Sequence, residues 1–173
     1  SAAKEYLKVY GVLVGKKPLI FTNNDSGYET AIEFKKNGVD PIILDTRKEP
    51  KSEIIDEAKK LDIQIKFSYV VVAAKGYKKV KSAEVAKISD DKNELGTLET
   101  IDCDCICVSG FWTPTIHLAS QSGNKTKFNK DIDAFVPGLS KQNETTLGAA
   151  NGTFTLEETL KSSFDSGYQI SKK

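Results

Sequence analysis

The sequence predicts an α/β fold on a parallel sheet, and three observations carry that prediction. Residues 18–22 (PLIFT) are a short apolar run, and residues 23–27 (NNDSG) are turn chemistry. Residues 27–37 place Tyr28, Ala31, Ile32 and Phe34 at mostly helical spacing, and residues 41–45 (PIILD) are a second apolar run. Strand, tight turn, helix and strand in about 25 residues is a βαβ unit, whose strands run parallel. A second helix follows over 51–61, with Ile54, Ile55, Ala58 and Leu61 as its apolar stripe. Third, residues 69–74 and 80–88 are β-rich runs separated by a hairpin-like turn at 75–78, which predicts a small antiparallel sheet beside the parallel one.

Residues 2–10 carry Ala3, Leu7 and Tyr10, with Tyr6 beside them, at the spacing of a short amphipathic helix, and Gly11 is its stop. Residues 63–67 alternate, 90–93 (DDKN) are a solvated turn, and 97–108 (TLETIDCDCICV) lead into another strand. Beyond Gly110 the pattern changes to short elements at 125–128 and 132–136, turns at 122–124 and 137–138, and a helix over about 155–164. The division between the two styles falls near residues 110–120.

Composition bounds the function. The chain has 173 residues, a net charge of +1, 39% hydrophobic and 28% charged residues. A chain so nearly neutral lacks the basic excess of a nucleic-acid binder. No apolar run reaches the length of a membrane span, and no charged-then-apolar leader opens the chain. Three cysteines are few and odd in number, which points to a reducing, cytoplasmic setting. The absence of methionine is what a processed, cut or excised piece would show.

The turn at Thr22–Gly27 stands where a dinucleotide fold carries Gly-x-Gly-x-x-Gly. Of the three glycines only Gly27 is present; Thr22 and Asn24 hold the other two places. A side chain at the second place meets the pyrophosphate, so Asn24 obstructs a dinucleotide in the usual pose. Asp45, at the end of the second strand, stands where a ribose-binding acid would be. The turn is thus either a nucleotide site or, the reading the residues favour, a structural remnant. Gly15-Lys16-Lys17 fails as a phosphate loop, because it precedes a strand and lacks Ser or Thr after Lys16. Cys103, Cys105 and Cys107 share one face if one strand carries them, too straight for a tetrahedral metal, and read as small core residues. His117 is alone and assigned no catalysis. The acceptor patterns at Asn124, Asn143 and Asn151 are coincidental. Residues 148–155 (GAANGTFT) combine small residues with a helix start. They either offer N–H groups to a phosphate or flavin oxygen, or are ordinary helix-start chemistry with Thr155 as N-cap.

Four blocks in fixed order now carry a resemblance: residues 21–28 (FTNNDSGY), 110–123 (GFWTPTIHLASQSG), 135–138 (FVPG) and 148–152 (GAANG). Together they resemble the α subunits of heterotetrameric sarcosine oxidases, over nearly the whole chain. The resemblance implies a three-layer FAD/NAD(P)-binding-type fold, similar to pyridine-nucleotide disulfide reductases, with a parallel sheet and a small antiparallel sheet. It implies that residues 1–115 form the second dinucleotide-binding-type domain and residues 116–173 return to the first, NAD-holding domain. It places NAD contacts at Gly148, Gly152, Thr153 and Thr155, and no catalytic residue or metal in this region. FAD, FMN and tetrahydrofolate would lie elsewhere in a complex with β, γ and δ subunits and with the missing parts of the same α chain. That complex oxidises sarcosine to glycine, yielding hydrogen peroxide and methylenetetrahydrofolate. In related reductases an Asp follows the glycine matching Gly148; Ala149 stands there, against a reductase-style FAD site. No C-x-x-C pair is present. A free-standing FAD- or NAD-dependent oxidoreductase of the disulfide-reductase-like or opine dehydrogenase type, and a nucleotide-free interaction module, are the other readings. The sarcosine oxidase reading also predicts exposed apolar surface wherever the absent half should pack.

Overall fold

A computed structural model describes residues 2–89, 94–110 and 112–172. The expected turn at 90–93 lies outside them. The chain divides into two compact units at 111/112, each described by itself.

In the first unit the βαβ expectation is met. β1 (Pro18–Thr22), α2 (Ser26–Lys36), β2 (Ile42–Asp45), α3 (Glu53–Lys60) and β3 (Gln64–Phe67) follow α1 (Ala2–Tyr10). The parallel sheet has the order β3-β2-β1-β7, with β7 (Cys105–Ser109) joining from much later in the chain. Between β3 and β7 runs an antiparallel sheet of β4 (Tyr69–Gly76), β5 (Val80–Lys87) and β6 (Glu99–Asp102). Three layers result. Side-chain alternation on β1 sorts its residues between them, because successive side chains point to opposite faces. Ile20 faces the helices and packs with Tyr28, Ala31, Phe34, Ile43 and Ile55. Leu19 faces the antiparallel sheet and packs with Leu44, Ala83, Val85 and Cys103. Strands so covered on both faces read as near-continuous apolar runs, which is how β1 and β2 announce themselves.

The expected strand within 97–108 is instead two strands in different sheets. The break falls at Cys103 and Asp104: the Asp104 carboxylate accepts the Lys16 and Lys17 N–H groups, each at 2.8 Å. These bonds outweigh partial desolvation and hold the carboxyl below its usual range. The backbone of the rejected phosphate loop therefore holds an anion after all, the chain's own. The three cysteines do not share a face either. Cys103 lies between the two sheets, whereas Cys107 packs on the helix side.

The second unit holds α4 (His117–Gln121), a hairpin of β8 (Thr126–Asn129) and β9 (Ala134–Pro137), a 3-10 helix (Gly148–Asn151) and α5 (Leu156–Ile170). Phe128 and Phe135 pair across the hairpin edge to face, with ring centroids 5.2 Å apart. Trp112 lies 6.4 Å from Phe154. Asn124, one of the acceptor patterns, is buried: its amide donates to Glu144 at 2.6 Å and accepts the Lys141 N–H at 2.9 Å. It serves as a loop pin. Helix α5 runs six residues past the expected end at 164.

Candidate nucleotide site

The β1–α2 turn forms with Asn24 as its hub. Thr22 Oγ1 donates to the Asn24 carbonyl at 2.8 Å and accepts the Asn24 N–H at 3.2 Å. The Asn24 side-chain oxygen accepts from the Ser26 N–H at 3.0 Å and the Ser26 hydroxyl at 2.6 Å. Its amide nitrogen donates to the Gly110 carbonyl, at the end of β7. Ser26 and Ser109 hydroxyls meet at 2.7 Å. The start of a helix presents unpaired N–H groups that receive a phosphate in dinucleotide folds. Here an amide oxygen on the chain itself takes that place. Gly27 keeps the close-packing role of the third glycine, since a Cβ there would meet Thr22 at 2.6 Å.

The second strand's acid is equally engaged. Asp45 is fully buried. Its carboxylate accepts the Tyr28 hydroxyl at 2.6 Å, the Arg47 N–H at 2.9 Å and the Arg47 guanidinium through Nε at 3.1 Å and Nη2 at 2.8 Å. Arg47 Nη1 also lies 2.9 Å from Asp25 Oδ1, at the start of α2. Burial pushes the Tyr28 hydroxyl well above its ordinary range, and the hydrogen bond to Asp45 adds to this. Burial opposes the charge of Arg47, and the bonds to Asp45 and Asp25 more than offset it. A ribose-binding acid needs free lone pairs aimed outward; Asp45 spends its own on Tyr28 and Arg47. The turn's residues do not fit a dinucleotide in the usual pose. Arg47 and Tyr28 were missed in the sequence, where Asp45-x-Arg47 was the available signal.

The four residues assigned to NAD by resemblance sit within one connection between β9 and α5. Gly148 opens the 3-10 helix at φ 63°, and Gly152 closes it at φ 83°. The left-handed backbone at φ 83° favours glycine at 152, and a Cβ there would also crowd Ile132 and Val136. The Thr153 N–H donates to the Gly148 carbonyl at 3.1 Å. Thr155 is the N-cap of α5: its hydroxyl accepts the Glu158 N–H at 3.4 Å and donates to the Glu158 carboxylate at 2.6 Å. The helix-start reading of Thr155 is thus present in the structure. Because the Thr155 proton is already donated to Glu158, the donors this segment can offer a pyrophosphate are backbone N–H groups and the Thr153 hydroxyl. Among the described residues no group of three or more His, Cys, Asp or Glu could hold a metal ion.

Layers, sheet order and the strand–turn–helix place this chain in the fold class of the FAD/NAD(P)-type disulfide reductases. Among solved structures it is similar to thioredoxin reductase from Lactococcus lactis, at 14% identity and TM-score 0.69, over 90% of this chain and 52% of that one. It is likewise similar to the bacillithiol disulfide reductase of Staphylococcus aureus, at 16% identity and TM-score 0.57, over 87% and 51%. In sequence it is similar to sarcosine oxidase subunit alpha of Rhizobium meliloti, 35% identical over 161 residues, 88% of this chain and 14% of the relative. Subunit alpha of Corynebacterium strain P-1 is 29% identical over 162 residues, 92% of this chain and 16% of the relative. The chain thus spans about a seventh of the length of these curated relatives. The resemblance carried by the four blocks is met over nearly the whole chain. No protein-family model matches it.

Proposed function

We propose that this chain is a scaffold segment of a sarcosine-oxidase-type α subunit, closed to nucleotide at its own β1–α2 turn. It contributes to an NAD site through Gly148, Gly152, Thr153 and Thr155, completed by parts of the α chain outside these residues. The observation that carries this reading is the side chain of Asn24, bound to Ser26 and Gly110 where a phosphate would enter. In this reading residues 1–115 are the second dinucleotide-type domain and residues 116–173 return to the first. The parent complex, with its β, γ and δ subunits in the cytoplasm, oxidises the N-methyl group of sarcosine at a flavin. Glycine, hydrogen peroxide and methylenetetrahydrofolate are its products. This chain supplies no catalytic residue to that reaction. It supplies fold, cofactor contacts and docking surface.

Helix α5 supports the docking part. Leu156, Leu160, Phe164 and Tyr168 recur every fourth residue, which aligns them on one face. They are 75%, 62%, 75% and 55% exposed. An apolar stripe of this kind calls for a covering surface. Among the described residues no helix is long and apolar enough to cross a membrane, so a membrane-spanning use of the stripe has no support.

Calorimetric titration with NAD tests the reading. The chain alone should give no binding, and binding should appear when the upstream half of the α subunit is added. Tight binding by the chain alone, abolished by Asn24→Ala or Asp45→Ala, would overturn it. The interaction-module reading is favoured by one observation, the Glu158 carboxylate placed on the N-cap of α5. It predicts that Thr153→Ala and Thr155→Ala leave NAD affinity of the whole α subunit unchanged.

A further inference from the structure

Two cysteines stand close together outside the candidate nucleotide site. Cys105 and Cys107 lie two residues apart in β7, an edge strand of the parallel sheet, and their Sγ atoms approach to 3.7 Å. Both are free and half-buried. Cys107 packs on the helix-side core, and Gly15 closes one flank of Cys105, where a side chain would come within 2.7 Å of the Cys105 Cβ. The pair is therefore held in place by its surroundings.

A direct disulfide suits this geometry badly. It needs sulfurs about 2.05 Å apart and Cα atoms usually closer than about 6.8 Å. Residues two apart on an extended strand are roughly 6.5–7 Å apart, so the bond would require the strand to buckle. A single bridging atom does not. An atom bound to two sulfurs at about 2.3 Å each holds them roughly 3.8 Å apart at a tetrahedral angle, using the zinc–thiolate bond as a ruler. No third metal-ligating residue joins the pair among the described residues. The bridging atom must then be one that two protein sulfurs satisfy.

We propose that Cys105 and Cys107 form a two-sulfur clip that captures trivalent organoarsenicals, in which carbon fills the third valence of arsenic. With phenylarsine oxide two As–S bonds form, both thiol protons leave with the oxide oxygen as one water, and arsenic remains trivalent. No electron is exchanged and no co-reactant is needed. Burial raises the Cys107 thiol above its ordinary range, and the neighbouring Cys105 adds to this. A protonated thiol reacts slowly with simple alkylating agents. Chelation differs, because the second bond forms intramolecularly.

The test is intact-mass measurement of the 173-residue chain with one equivalent of phenylarsine oxide. One phenylarsenic group per chain is expected, removed by a small dithiol and retained against the same concentration of a monothiol. Cys105→Ser and Cys107→Ser should each weaken capture by about 100-fold through loss of the chelate, with Cys103→Ser unchanged. Full capture by either single variant, or loss in Cys103→Ser, overturns the proposal. Fragmentation of the wild-type adduct gives an answer that needs no variant: arsenic bridging 105 and 107 supports the clip, and a bridge to Cys103 refutes it.

Discussion

Two helices of this molecule begin after a turn of small polar residues, and they begin differently. At α2 the N-cap is Asp25, and the residue before it, Asn24, ties the end of β7 to the helix start through its side chain and β1 through its backbone, next to a buried Asp45–Tyr28–Arg47 cluster. At α5 the cap is Thr155, whose partner Glu158 lies on the same helix and whose surroundings are exposed. The first start is a knot between distant segments; the second is a local side-chain N-cap. A helix N-terminus is thus no site by position alone. What decides is whether its N–H groups and neighbouring acids are already bound by the chain, and at α2 they are.

The largest way to break this contrast is at the buried acid. Asp45→Ala strands Arg47 beside Asp25 alone and deprives Tyr28 of its acceptor. Removing one partner of a buried ion pair costs about 3 kcal/mol, so the first unit should unfold at clearly lower urea. Unchanged urea stability would mean that the cluster is not what closes the turn. Next in size is Asn24→Gly, which restores the second fingerprint glycine and removes the links to Ser26 and Gly110. It should cost about 1–2 kcal/mol and still yield no NAD binding by calorimetry, because Asp45 stays engaged. NAD binding by that variant would show that Asn24 alone obstructs the site.

At the other helix start, Thr155→Ala removes an exposed N-cap and should cost about 1 kcal/mol. The loss should fall on the second unit, read by hydrogen exchange of the α5 amides. Protection lost instead at α2 would contradict the local character of this cap. The smallest effect is one of pH. Hydrogen bonds from Ser122, Asn124 and Ser140 hold the Glu144 carboxyl below its ordinary value of 4.5. A depressed folded-state pKa stabilises above that ordinary value and is lost as pH falls through the depressed one. Acid unfolding of the second unit should therefore be blunted in Glu144→Gln, at the expense of stability near neutral pH. Parallel acid profiles for the two proteins would remove Glu144 from the account.

The parts of the fold legible in the sequence were those with a period. β1, α2, β2 and α3 carry runs and stripes set by burial on one or two faces, and the 80–88 run is β5 with its alternating interior residues. Helix α4 and the 3-10 helix are too short for a period to show. The run 97–108 looked continuous because nothing in it marks the break; the cause is Asp104 meeting backbone about 90 residues earlier. The apolar spacing ended α5 at about 164, yet the helix continues through Gly167 to Ile170. At the candidate site the obstruction by Asn24 was legible, since a missing glycine is a local fact. The commitment of Asp45 was not: Tyr28 reads as a core aromatic, and only the folded chain shows its hydroxyl on an acid seventeen positions on.

Trp112, packed near Phe154, is the sole tryptophan, while five of the six tyrosines lie in residues 1–111. Excitation at the red edge of the absorption band would therefore select an emitter confined to the second unit. The tyrosine signal, dominated by the first unit, includes the buried Tyr28. One sample under one denaturant gradient would then yield two melting records, and their coincidence or separation would say whether the chain unfolds as one body or two.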